Sequence, residues 1–159
     1  MLFRSVIALA ALLSAAPAFA QHGVHGAGHT GHLGAGVMPF DLNRSLHVFT
    51  PMPTGGTQTV LSLNGDAGQV DLIRTHLRME AAAFARGDYA DPAAIHGTAM
   101  PGLATLGAGS GRVRVTFEPM PQGALIRFGT TDPVLVEALH RWFEAQVHEH
   151  GGDAILRQP

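Results

Sequence analysis

Arg112-Val-Arg-Val-Thr-Phe-Glu118 and Ala124-Leu-Ile-Arg-Phe-Gly129, joined by Pro119-Met-Pro-Gln-Gly123, are the stretch on which the fold turns. The first run alternates strictly, so Val113, Val115 and Phe117 share one face of a strand. The second is rich in β-formers, and the Pro- and Gly-bearing link between them reads as a turn. Together they predict a hairpin. Directly after it, Asp132-Pro133 is a cap followed by proline in the first helical turn. A helix is predicted from there to about Glu149, stopped by Gly151-Gly152. Its buried side is Leu135, Leu139, Trp142, Phe143 and Val147.

Upstream of the hairpin the same reading gives two more strands and a long helix. Leu46-His-Val-Phe-Thr50 and Thr57-Gln-Thr-Val-Leu-Ser-Leu63 flank the turn-rich Pro51-Met-Pro-Thr-Gly-Gly56. His47 and Phe49 fall on one face, with Val48 and Thr50 on the other. Residues 67–85 recur apolar at Val70, Ile73, Leu77 and Phe84, the period of a helix, and Gly87 ends it. Asp91 is expected to cap a short helix opened by Pro92, and Leu103–Leu106 to add one more turn. The order ββααββα predicts a single α+β domain, with an antiparallel sheet from two hairpins and helices packed on one face.

The first 20 residues have the parts of a secretory signal: Arg4, an apolar run from Val6 to Ala16, and the small-residue cleavage site Ala18-Phe19-Ala20. The apolar run is shorter than the roughly 20 residues that cross a bilayer. The expectation is a soluble periplasmic or secreted protein with no membrane anchor, beginning at Gln21. Removing the leader removes one of 10 cationic side chains, so 9 Arg face 12 Asp and Glu and the net charge is near −3. That excludes a basic face for nucleic acid. Cysteine is absent. A metal site must then use His, Met, carboxylate or backbone ligands, which excludes thiolate zinc sites, iron–sulfur clusters and blue copper.

Residues 21–39 read as a flexible tail, followed by the domain at 40–159. The tail carries His22, His25, His29 and His32 on glycine-rich backbone. Imidazole is the commonest metal-ligand side chain, and glycine lets several converge without strain. A chain this flexible recruits or buffers ions rather than holding one rigidly, because ordering costs about 1–2 kcal/mol per residue.

Within the domain, His76 opens an i, i+4 pair with Glu80, and His96 stands four residues before Met100. His47, His76, Glu80, His96, Met100 and His140 form the candidate metal set. His148 and His150 lie at a helix end, where imidazolium suits the negative pole of the helix dipole, and read as caps. Met38, Met52 and Met120 each precede proline and read as gap-fillers. Imidazole with thioether points to copper, with zinc and nickel as alternatives. Haem held by His76, His96 or His140 is the alternative cofactor, without covalent attachment because Cys-x-x-Cys-His is absent. No phosphate loop, Gly-x-Ser-x-Gly or His-Glu-x-x-His occurs, so no catalytic residues are assigned.

Several segments resemble a family of small exported bacterial proteins. They are Leu-His-Val-Phe (46–49), Ile-Arg-Thr-His-Leu (73–77), Glu-Ala-Ala-Ala-Phe (80–84), Arg-Gly-Asp-Tyr-Ala-Asp-Pro-Ala-Ala-Ile-His-Gly (86–97), Met-Pro-Gly-Leu (100–103), Leu-His-Arg-Trp-Phe-Glu-Ala-Gln (139–146) and His-Glu-His-Gly (148–151). That family is often labelled aspartate carbamoyltransferase. The chain is too short for a two-domain transcarbamoylase and lacks a Ser-Thr-Arg-Thr-Arg phosphate segment, and export would separate it from cytosolic carbamoyl phosphate. The resemblance thus implies a shared fold and shared histidine positions, not that activity. The functional expectation is a periplasmic protein that binds, buffers or delivers copper through the inner His/Met site. Its partners would be metal ions and a periplasmic metal transporter or metalloprotein. A homodimer is compatible with this reading. A non-catalytic interaction domain with structural histidines is the remaining alternative.

Overall fold

The computed structural model describes residues 36–159; the leader and the four tail histidines lie outside the described residues. The domain is α+β. Strand β1 is Ser45–Met52, β2 Gly55–Ser62, α1 Ala67–Ala85, α2 Ala90–His96, α3 Leu103–Ala108, β3 Arg114–Met120, β4 Gly123–Gly129, α4 Pro133–His150 and β5 Ala154–Leu156. Among the described residues no helix is long and apolar enough to cross a membrane.

Both expected hairpins form. The sheet order is β3-β4-β2-β1-β5, so the hairpins meet through β2 and β4. Two features depart from the expected order. Leu103–Ala108 is a full short helix, and a fifth strand pairs parallel with β1, Ala154 opposite His47 and Leu156 opposite Phe49. The sheet is therefore mixed rather than purely antiparallel. The cause is Gly151, whose φ of 63° ends α4 and turns the chain back toward β1.

The first hairpin is tighter than its prolines suggest. Met52 pairs with Gly55, leaving only Pro53 and Thr54 between the strands. Gly55 has φ 132°, and a Cβ there would lie 2.0 Å from the Phe128 carbonyl oxygen. Gly55→Ala is expected to destabilise the domain by about 3 kcal/mol, from backbone strain with a backbone clash added. Urea unfolding followed by circular dichroism checks it; a cost under about 1 kcal/mol would show that the turn can move aside.

One sheet face carries Phe49, Val60, Ala124, Ile126 and Phe128, all at most 2% exposed, and the helices cover it. Helix α1 is capped by Asp66, whose carboxylate accepts from the Gln69 N–H at 2.8 Å. It lies over the second hairpin: the Arg74 guanidinium donates to the Met120 and Gly123 carbonyls, and the Arg78 guanidinium lies 4.5 Å over the Phe117 ring. Helix α4 is capped by Asp132 on the Val134 N–H. It drives Trp142 and Phe143, both fully buried, into rings from Phe84, Tyr89, Phe128 and Phe49 at centroid distances of 5.2–5.9 Å.

Candidate functional site

Four separate chain segments meet at one end of this core. β1 contributes His47, α1 contributes His76 and Glu80, the end of α2 contributes His96, and the end of α4 contributes His150. They line a cavity of about 40 Å³, together with Met38, Gln58, Asp91, Trp142 and Gln146 among others. A water molecule needs about 10–15 Å³ by the same measure, so there is room for an ion or a few waters.

The pairing of β5 with β1 explains the meeting. Ala154 lies opposite His47, and only Gly151 to Asp153 separate it from His150. The His150 ring therefore arrives 4.9 Å from the His47 ring and 5.2 Å from the His96 ring. Residues 38–41 close the other side. The Gln69 side chain exchanges two hydrogen bonds with the Asp41 backbone, at 2.7 and 3.0 Å. This sets Phe40 between His47 and His76, with ring centroids at 6.1 and 5.7 Å. Met38 is buried and Val37 packs against the core, so the folded part begins before the expected boundary at residue 40.

Polar atoms around the cavity are unusually short of partners. His47 Nδ1, Gln58 Oε1 and Trp142 Nε1 are all buried without a hydrogen bond, and all three side chains line this cavity. Buried polar groups are normally satisfied, so three such atoms around one cavity give it polar contacts to offer a water or an ion. The His47 ring is hydrogen-bonded to the Asp153 backbone, while its Nδ1 is buried without a partner. His96 Nδ1 lies 2.6 Å from Glu149 Oε2, which turns its Nε2 outward from that contact. A carboxylate behind an imidazole is the usual means of fixing a ligand's tautomer and orientation.

Burial pushes His47 down to about 3, helped by the neighbouring His150 and opposed by its bond to Asp153. His150 is held at about 4, by burial first and the His96 ring second. His76 is lowered by burial, against the pull of Asp91. Imidazoles so placed are neutral at physiological pH and keep lone pairs available to a metal. Glu80 goes the other way, to about 8, from burial and from its hydrogen bond to Asp91, with the charges of Asp91 and Asp88 adding to it.

These shifts fix a pH profile. Unfolded imidazoles take up protons below about pH 6.5 while folded His47 and His150 do not, so stability falls as pH drops from there toward 4. Folded Glu80 keeps its proton up to about pH 8 while the unfolded carboxyl loses it above about 4.5, so stability also falls as pH rises through that window. Between pH 4.5 and 6.5 the two imidazoles outweigh the one carboxyl, by about 1 kcal/mol per pH unit after allowing for the half-buried state of His150. Apo-protein stability is expected to peak near pH 6.5. Urea midpoints at pH 5, 6.5 and 8 measure it, and a monotonic trend would contradict the burial of one or other group.

The expected set is only partly brought together. His47, His76, Glu80 and His96 line the cavity; Met100 and His140 do not. Met100 is 5% exposed in the hydrophobic core. Helix α2 stops at His96, and Gly97, at φ 86°, turns the chain, so the i, i+4 spacing from His96 to Met100 has no helix to carry it. His140 Nε2 donates to the Met52 and Gly55 carbonyls at 3.1 and 2.9 Å, bracing the tight β1–β2 turn. His150 joins the cavity instead of capping α4, because burial overrides the attraction of the helix dipole for imidazolium. Met38 also lines it, in place of the Met100 thioether. Asp91, the expected cap of α2, lies in its first turn; the N-cap position is Tyr89, and Asp88 Oδ1 accepts from the Ala90 N–H. Among the described residues no group of three or more His, Asp or Glu side chains is placed so as to hold a metal ion. No family model, curated protein or solved structure matches the chain.

Proposed function

We propose that the chain is an exported metal-binding protein that holds one transition-metal ion, copper in the first place, at His47, His96 and His150. The observation that carries this reading is the spacing of the rings. Two imidazoles on one tetrahedral ion, each nitrogen about 2.0–2.1 Å from the metal, have ring centres about 5 Å apart. Two of the three ring pairs, His47–His150 at 4.9 Å and His96–His150 at 5.2 Å, match that figure. The three rings do not yet close on one centre, so a bound ion would have to draw them together; His47 Nδ1 has no hydrogen bond to give up. Met38 supplies a soft sulfur at the wall, and His76 a further imidazole. Imidazole and thioether together favour copper, with zinc and nickel as competitors. A cavity of about 40 Å³ suits an ion. It is far below the roughly 300–1,000 Å³ of sites for larger cofactors, which argues against haem in this place.

The tail fits as a recruiter. His32, the nearest of the four, is five residues before Val37, a residue of the cavity wall, so an ion on His32 is within about 18 Å of chain from the site. With residues 1–20 acting as an export signal, this work would be done in the periplasm or outside the cell, and delivery would be to a periplasmic metal transporter or metalloprotein.

The test uses the one tryptophan. Trp142 lines the cavity, so Cu(II) at the site quenches its fluorescence. Titrating the mature chain should give one tight equivalent that quenches Trp142, and weaker equivalents that vanish when residues 21–35 are deleted. Zn(II) competition ranks the metals. If the quenching equivalent binds no more tightly than the isolated tail peptide does, the inner site is refuted. Glu149→Gln, which loosens His96 without removing a ligand, is expected to weaken the tight equivalent by about 10–100-fold in the same titration.

A further inference from the structure

Glu80 and Asp91 belong to two cavities at once. On the inner side they line the imidazole cavity; on the outer side they line an open surface depression of about 340 Å³ with Met79, Arg86 and Asp88. Glu80 is 8% exposed, whereas Asp91 is exposed, and the two carboxyl groups are hydrogen-bonded to each other. The pair therefore stands between the outer depression and the cavity lined by the 3%-exposed His47, whose Nδ1 has no partner. Three carboxyl groups face the depression against one guanidinium, Arg86, which is itself bonded to the Ala82 carbonyl. Met79, 66% exposed, places a thioether at the rim.

We infer that this depression is the transit site through which a metal cation enters and leaves the imidazole cavity, with Asp91 as the residue that passes it across. The inference rests on the metal-binding reading above and adds its route. A carboxylate funnel raises the local concentration of cations and their rate of capture, an effect that weakens with salt. A carboxylate reachable from both sides gives the ion an oxygen ligand while it sheds water and before it meets imidazole. Glu80, hydrogen-bonded to Asp91, closes the partition when no ion is passing. A transit residue speeds entry and exit equally, so it changes rates and leaves the equilibrium constant nearly alone.

Stopped-flow mixing of the mature chain with Cu(II), read by Trp142 quenching, tests it. Asp91→Asn with Asp88→Asn should slow association and dissociation about tenfold each, with affinity within threefold of wild type. The wild-type association rate should fall with added salt, and the variant's should fall less. Asp91→Asn alone, at an exposed position, serves if the double variant does not fold. Unchanged rates in the variants would overturn the transit site while leaving the imidazole site standing. A loss of affinity with unchanged association would overturn it too, by making Asp91 a ligand. No quenching in the wild type would overturn the metal reading itself, and the route with it.

Discussion

His150→Ala is expected to weaken Cu(II) binding at the inner site by more than about 100-fold. Losing a partner that only orients a ligand costs 10–100-fold, and His150 is a ligand in this reading. Its position makes the effect large. The ring is in contact with both of the others, 4.9 Å from His47 and 5.2 Å from His96, so its removal breaks both ring contacts of the set. The protein should survive the change, because His150 is half-buried at the end of α4 and the helix is ended by Gly151. Two other histidines provide the contrast. His148→Ala, at an exposed position, should leave affinity unchanged. His140→Ala should lower stability through the two carbonyls it leaves in the β1–β2 turn, but not affinity. Calorimetric titration of the three variants reads all of this. Affinity within threefold of wild type for His150→Ala would sink the assignment.

The sequence carried more of this site than a search by residue type extracts. Both hairpins, the faces of β1 and the two long helices follow from alternation and from the 3.6-residue period. The same period also marks the site residues. Ile73, Leu77, Glu80 and Phe84 continue one buried stripe, so Glu80 is on the core face of α1 and not beside it. On α4, Leu139, Phe143 and Gln146 are buried, and His150 falls next on that stripe, whereas His148 and His140 do not. The burial of His150 was thus legible, and the dipole argument at the helix end obscured it. Other features had no local signal. The parallel strand β5 is three residues long and depends on a partner a hundred residues away, and with it comes the approach of His150 to His47. The Asp41–Gln69 bonds that carry Met38 over the cavity are equally non-local. Spacing along the chain fails as a guide where a helix has ended, as it does between His96 and Met100.

Trp142 joins the core to the cavity, and its replacement separates the two. Trp142→Ala is expected to destabilise the domain by about 3–5 kcal/mol, the usual cost of emptying a buried aromatic position. A domain of this kind has about 5–15 kcal/mol in total, so the variant should be near its limit. The reason is local: the fully buried indole is in ring contact with Phe84, Tyr89, Phe128 and Phe143, and no neighbour can fill the space without leaving its own contacts. Trp142→Phe should cost far less, under about 2 kcal/mol. It keeps most ring contacts and removes Nε1, a buried donor with no partner, whose desolvation costs about 1–3 kcal/mol. Urea unfolding followed by far-ultraviolet circular dichroism measures both, since neither variant retains a tryptophan. Equal costs for the two variants would mean that the indole nitrogen is satisfied. The phenylalanine variant should also keep its Cu(II) affinity by calorimetry, because the indole is a wall of the cavity and supplies no metal ligand. A large loss of affinity there, with stability retained, would instead put the Nε1 proton in contact with whatever the metal carries in its open position.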